Sequence, residues 1–189
     1  DALPIYVSRV LKTLDVDSTA LGFSGGFPGD FIAQTLEDSN IQSDFVQVDE
    51  DTRINVKLKS GQETEINAPG PKVTHAQFEQ LLSQIRRTTN DDIVIVAGSV
   101  PNSIPSDAYA QIAQITEKTG AQLVVDAEKD LVETVLPYRP LFIKPNKDEL
   151  EVMFNTTVKS DEDVIKYGKE ILKKGAQSVI ISLGGDGAI

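Results

Sequence analysis

The sequence predicts an α/β fold: a mostly parallel sheet flanked by helices, with a small β-hairpin set into it. Three observations carry that prediction. Short apolar runs such as Ile93–Ala97 alternate with longer segments of helical period. Such runs suit parallel strands covered on both faces, because neither face meets water. Against this pattern, Thr52–Asn67 alternates apolar with polar residues on either side of Ser60-Gly61, as a hairpin does.

Taken in order, Val7–Leu14 is expected to be a helix, with Val7, Val10, Leu11 and Leu14 on one face. Ser18–Phe23 reads as a strand ending in Ser24-Gly25-Gly26, where the two glycines are taken as turn residues only. Pro28 opens a second helix that runs to Leu36, and Phe45–Val48 is a short strand. The hairpin follows and closes on the stiff linker Ala68-Pro69-Gly70-Pro71. A two-stranded hairpin is marginal alone, so it must cover or pair with something. Helices are then expected at Phe78–Ile85, Pro105–Lys118, Lys147–Phe154 and Asp161–Lys174. Gly120 and Gly175 stop two of them, and Ser160 caps the last. Strands are expected at Ile93–Ala97, Gln122–Val125, Leu141–Ile143 and Ser178–Ile181.

A length of 189 residues suits one sizeable core, so residues 1–189 are read as one domain with the hairpin at about 45–70. The net charge of −11 argues against nucleic acid or an anionic membrane as partner, since both need a basic face. A phosphorylated small molecule needs only one or two local cations and stays open. With no cysteine, disulfides and thiolate metal sites are excluded. The single histidine, His75, follows the N-cap candidate Thr74 and is expected at the surface. No apolar run reaches the roughly 18 residues of a membrane span, and a cytoplasmic location is the default expectation.

Parallel sheets bind ligands beyond the carboxyl ends of their strands, which directs attention to the residues after each strand. Ser182-Leu183-Gly184-Gly185-Asp186-Gly187 is either a tight turn or a loop whose N–H groups meet a nucleotide phosphate. In Lys144-Pro145-Asn146-Lys147-Asp148-Glu149, the lysine can neutralise a phosphate. Asn146 and Glu149 form either a structural capping box or an amide and carboxylate that hold Mg²⁺ through water. Spacing alone favours the capping box. Ser99, after Gly98, can bond a sugar or phosphate or merely turn the chain. Arg53, beside Asn55, is either a phosphate clamp or a solvated cation. Asp126 ends a strand at the same edge, where an aspartate also serves as an ordinary helix cap.

Together these motifs resemble the phosphofructokinase B branch of the ribokinase-like sugar kinases. Thr52-Arg53-Ile54-Asn55-Val56-Lys57, Ile66-Asn67-Ala68-Pro69-Gly70-Pro71, Gly98-Ser99-Val100-Pro101, Ile143-Lys144-Pro145-Asn146 with Glu149-Leu150, and Ser182–Ala188 come in family order from about Val7 to Ile189. The hairpin is more similar to that of 1-phosphofructokinases than to that of tagatose-6-phosphate kinases. The resemblance implies a ribokinase-like fold and MgATP-dependent phosphorylation of fructose 1-phosphate to fructose 1,6-bisphosphate. It implies that Arg53 and Ser99 bind the sugar phosphate. Lys144, Asn146, Ser182, Gly184, Gly185 and Gly187 would bind ATP, and Glu149 would reach Mg²⁺ through water. It also implies a hairpin that acts as a lid and a homodimer formed through it.

Two family features are not in the sequence. The catalytic aspartate of a Gly-Ala-Gly-Asp motif is expected beyond Ile189, so no catalytic residue is assigned and these 189 residues alone are expected to be inactive. Asp186 belongs to the preceding loop and is not that base. The Gly-Gly-Lys-Gly segment ahead of the first helix gives way to Asp1–Tyr6, which matches the translation of a sequencing adapter and is expected to be non-native. Tagatose-6-phosphate kinase and 6-phosphofructokinase activities are the near alternatives, and a non-catalytic sugar-phosphate sensor is the remote one. A dinucleotide oxidoreductase is disfavoured, because no Gly-x-Gly-x-x-Gly follows an early strand.

Overall fold

The computed structural model describes residues 3–60, 62–98, 100–127 and 129–189. The chain divides into two compact units, Asp1–Ser83 with Val100–Pro105, and Gln84–Ser99 with Ser106–Ile189.

In the first unit, helix α1 spans Leu3–Thr13 and so begins before the expected Val7. Pro4 is tolerated in a first turn, where no backbone N–H is needed, and Ile5 packs on a core of Ala20, Leu36 and Ile41. Asp1 and Ala2 lie outside the described residues. Strand β1, Thr19–Ser24, leads into helix α2, Gly26–Asp38, and then strand β2, Gln42–Gln47. The two strands pair in parallel from Thr19↔Gln42 to Ser24↔Gln47. Strand β2 starts earlier than Phe45 because Gln42, Ser43 and Asp44 pair with Thr19, Ala20 and Leu21 of β1, although these exposed residues show no apolar period.

The segment expected as a hairpin over Thr52–Asn67 holds two strands that begin at Asn55. Strands β3, Asn55–Ser60, and β4, Gln62–Asn67, pair antiparallel, with Val56 opposite Ile66 and Leu58 opposite Thr64. Val56, Leu58 and Ile66 are all exposed. Helix α3, His75–Ile85, opens on Thr74, which accepts from the Gln77 N–H while Gln77 Oε1 accepts from the Thr74 N–H at 2.8 Å. His75 is exposed, as expected.

The second unit holds a parallel sheet. Strands β5, Ile93–Ala97, and β6, Gln122–Asp126, are separated by helix α4, Ala108–Thr119. Helix α5, Lys129–Val135, and a 3₁₀ turn, Leu136–Tyr138, lead to strand β7, Phe142–Ile143. Helices α6, Lys147–Phe154, and α7, Asp161–Lys174, precede strand β8, Ser178–Val179. Among the described residues the strand order is β5-β6-β7-β8, all parallel.

Burial on both faces holds for β6, where Leu123, Val124 and Val125 are buried. It does not hold for β5, an edge strand of this sheet whose residues are half-exposed and whose Ile93 is exposed. Strand β8 stops before the expected Ile181, because Pro145 has no N–H to return a bond to Ile180; the Ile180 N–H still donates to the Ile143 carbonyl, and Ile181 on the other edge exchanges both backbone hydrogen bonds with Ile189. Helix α7 matches its local signals. Ser160 accepts from the Asp163 N–H, three acids fill the first turn, and Lys173 and Lys174 fill the last. Its Ile171 is fully buried, as are Ile143 of β7 and Leu150 of α6. Truncating such a residue to alanine costs about 2–5 kcal/mol.

No helix of the described residues is long and apolar enough to cross a membrane.

Candidate functional site

The carboxyl ends of β5, β6 and β7, together with the loop after β8, form one rim of the second unit. Parallel pairing dictates this, since every strand ends on the same side. The Gly98 N–H donates to the Asp126 carbonyl at 3.3 Å, and the Lys144 N–H donates to the Val125 carbonyl at 3.1 Å. Past β7 and β8, Asn146 and Ser182 form a parallel bridge. In it the Ser182 N–H donates to the Pro145 carbonyl at 3.0 Å and the Lys147 N–H to the Ser182 carbonyl at 3.1 Å. The structure therefore brings Lys144, Asn146 and Ser182 together, as the strand-end argument expects.

Lys144 Nζ lies 3.2 Å from Asp126 Oδ1, with both side chains partly exposed. The lysine is thus held over the sheet edge by a partner that water also reaches. Beneath the rim lies Tyr109 of α4, which is 6% exposed and donates its hydroxyl to the Gly98 carbonyl at 2.9 Å. Burial first, and then the nearby Asp126 charge, push its phenol up to about 12. Tyr109 is a neutral donor here and fixes the carbonyl through which the chain leaves β5.

Asn146 and Glu149 form the capping box. Asn146 Oδ1 accepts from the Glu149 N–H, and Glu149 Oε2 accepts from the Asn146 N–H, both at 2.8 Å. Each bond uses one polar atom of its side chain; Asn146 is exposed and Glu149 half-buried. The box and the Lys147 N–H to Ser182 carbonyl bond tie the first turn of α6 to the rim, where the helix dipole favours an anion.

The Ser182–Gly187 segment is a tight turn. The Leu183 N–H donates to the Gly187 carbonyl at 2.8 Å, and Gly184–Asp186 form a 3₁₀ turn. Gly184 and Gly187 have φ of +63° and +95°, which a side chain would strain, and Gly185 is exposed beside them. A Cβ at any of the three would meet nothing within 4 Å, so space and not packing surrounds this turn. That leaves room for a ligand to approach the backbone.

Among the described residues no group of three or more His, Asp or Glu side chains is arranged to hold a metal ion. A divalent ion that arrives bound to phosphates and keeps several waters asks for less, and Glu149 has one carboxylate oxygen outside the capping box. In the first unit Arg53 is exposed and stands two residues before β3. Ser99, the other residue expected to bind substrate, lies outside the described residues.

Sequence reasoning missed Tyr109, which reads as one more apolar residue of an amphipathic helix. It left Asp126 undecided between cap and site, and the structure makes it the partner of Lys144.

Comparison with known proteins agrees with this geometry. Residues 4–189 match the pfkB family of carbohydrate kinases. The chain is 43% identical over 185 residues to a 1-phosphofructokinase of Bacillus subtilis, covering 98% of this chain and 61% of that protein. It is 37% identical over 186 residues to a D-tagatose-1-phosphate kinase of Bacillus licheniformis, again covering 98% of this chain and 61% of the relative. A crystal structure of a Staphylococcus aureus protein, provisionally assigned as a phosphofructokinase, superposes with a TM-score of 0.86 at 79% identity, over 98% of this chain and 60% of that one. The chain therefore spans about three fifths of the length of these relatives.

Proposed function

Because the chain belongs to the pfkB family of carbohydrate kinases, we propose that the complete protein transfers the γ-phosphoryl group of MgATP to the 6-hydroxyl of fructose 1-phosphate. The product is fructose 1,6-bisphosphate. The observation that carries this reading is the convergence of Lys144, the Asn146–Glu149 helix start and the Ser182–Gly187 turn on one rim.

In such a transfer the sugar hydroxyl oxygen bonds to the γ-phosphorus and gives its proton to a general base. The bond to the bridging oxygen breaks, and ADP leaves with that electron pair. The step is mostly a matter of positioning and of neutralising phosphate charge. Lys144 supplies a cation to the ATP phosphates. Asn146 supplies its side-chain amide N–H, and the open turn at Ser182, Gly184, Gly185 and Gly187 lets the backbone approach the nucleotide. Glu149 would hold, through water, the Mg²⁺ that accompanies the nucleotide, and that ion would supply further neutralisation of phosphate charge. Arg53 pairs with the phosphate already on the sugar, and Ser99 bonds the sugar phosphate from the loop after β5. None of these residues is assigned the base.

The β3–β4 hairpin serves as a lid. Its exposed Val56, Leu58 and Ile66 pair with a second copy, since a lone hairpin with an apolar face is marginal in water.

The sugar assignment rests on similarity to the 1-phosphofructokinases of Bacillus subtilis and of Borreliella burgdorferi, the latter 41% identical. A second reading, a ketose 1-phosphate with the tagatose configuration, is supported by the 37% identity to D-tagatose-1-phosphate kinase. A coupled ADP-release assay of the complete protein decides between them, using fructose 1-phosphate, tagatose 1-phosphate, fructose 6-phosphate and tagatose 6-phosphate. The highest kcat/KM is expected for fructose 1-phosphate. A higher value for another sugar phosphate moves the assignment to that sugar, and no turnover with any of the four ends the kinase reading.

A further inference from the structure

Arg53 stands at the base of a hairpin that cannot hold its own orientation, so something at that base must set where Arg53 lies. The base is tied down at both legs within the first unit. On the entry leg, the Thr52 N–H donates to the Gly25 carbonyl at 2.8 Å. Thr52 Oγ1 in turn accepts from the Gly25 N–H at 3.0 Å. Both backbone groups of Gly25 are thus engaged by one residue. Just before this, the Val48 N–H donates to the Ser24 carbonyl at 2.9 Å. On the exit leg, the Lys72 N–H donates to Glu50 Oε2 at 2.7 Å.

The glycines of the Gly25–Gly29 segment fit this arrangement. A Cβ on Gly25 would fall inside contact distance of the Glu50 and Val48 carbonyl oxygens. One on Gly29 would meet Ser24 Oγ, and Thr52 Oγ1 at 3.1 Å. Close approach of residues 48–52 to the β1–α2 junction therefore requires glycine here, which is more than a turn demands. Ser24 is itself buried at 5% exposure, so the junction that receives Thr52 is packed.

We propose that Thr52 is a positioning residue: its double hydrogen bond to Gly25 fixes the start of the hairpin and so the place from which Arg53 meets the sugar phosphate. This rests on the reading of Arg53 given above. The hydroxyl is the part that sequence can vary, since the other bond runs through the backbone. Thr52→Val keeps the shape and removes the acceptor; Thr52→Ser keeps the acceptor.

The test is the Michaelis constant of the complete protein for each substrate. It is measured in Thr52→Val, Thr52→Ser, Arg53→Ala and the Thr52→Val/Arg53→Ala double variant, with melting temperatures alongside. Thr52→Val is expected to raise the KM for fructose 1-phosphate about 3- to 10-fold, the size of one lost hydrogen bond, and to leave the KM for ATP unchanged. Thr52→Ser should restore the sugar constant. In the Arg53→Ala background Thr52→Val should add nothing, because the residue acts through Arg53.

An Arg53→Ala effect on the sugar KM without a Thr52→Val effect overturns the proposal alone. Equal loss for both substrates, or an undiminished Thr52→Val effect in the double variant, makes Thr52 merely structural and also overturns it. If Arg53→Ala leaves the sugar KM unchanged, the reading beneath the proposal fails and takes it along. Should Thr52→Val not fold, a Thr52→Ser protein with wild-type constants beside a Thr52→Ala protein with a raised sugar KM supports the role. A Thr52→Ala protein with a wild-type sugar KM refutes it.

Discussion

Lys144 Nζ rests 3.2 Å from Asp126 Oδ1, across the ends of two neighbouring parallel strands. Both side chains are partly open to water, with 41% and 28% of their surfaces exposed, so the pair is cheaply broken. A lysine held loosely at a rim is one that a phosphate can recruit. A double-mutant cycle with Lys144→Ala and Asp126→Ala should give a coupling of about 0.2–1 kcal/mol toward thermal stability, falling as salt is added. A salt-insensitive coupling above about 2 kcal/mol would make the pair a structural tie and remove the argument for easy exchange.

Asn146 and Glu149 have a structural duty in the capping box, and substitutions separate it from a metal-linked one. Asn146→Ala should destabilise the protein by about 1 kcal/mol, the usual cost of a lost cap. Glu149→Gln keeps an acceptor for the Asn146 N–H and should change stability by less than about 0.5 kcal/mol. If the Glu149 carboxylate also organises Mg²⁺, the same variant should need a several-fold higher Mg²⁺ concentration for half-maximal turnover. Unaltered Mg²⁺ dependence in a stable Glu149→Gln protein would leave the residue with the cap alone.

Tyr109 ties stability to high pH. Its phenol is pushed up to about 12 in the folded protein, against an ordinary value of 10.0. The unfolded chain therefore loses this proton first, and between those values the folded state binds more protons. Stability linked to Tyr109 is complete below pH 10 and is lost as pH rises toward 12, a change of about 3 kcal/mol. Tyr109→Phe should lower stability at neutral pH by about 1 kcal/mol through the lost bond to Gly98, and should flatten that alkaline limb. Chemical denaturation at intervals from pH 9 to pH 12 measures both. An alkaline limb of the same depth in Tyr109→Phe would assign it to other groups.

Local signals were the legible ones. Ser160 and Gly175 bracket α7, and Asn146 with Glu149 opens α6, because caps act within a few residues of the backbone they bond. The shared rim of Lys144, Asn146 and Ser182 was also legible, since parallel strands must end on one side. Helix α5 was not. Its seven residues, Lys129–Val135, are too short for a period to show, and burial of Val132 and Val135 stabilises it instead. The start of β2 was hidden by exposed polar residues, and the start of α1 by Pro4. Gly25 and Gly26 read as turn residues because the reason for Gly25, the approach of Thr52, is 27 residues away in the chain. The donor role of Tyr109 was hidden likewise, because the carbonyl it meets is fixed by strand pairing and not by its own helix.

The central claim is that ATP is held at the sheet rim by Lys144, separately from the sugar phosphate. The most direct measurement is the pair of Michaelis constants of the complete protein carrying Lys144→Ala. The KM for ATP should rise about 10-fold or more, as the loss of a charge-assisted contact implies, while the KM for fructose 1-phosphate stays within about twofold. An unchanged KM for ATP, or a rise confined to the sugar phosphate, would contradict the account.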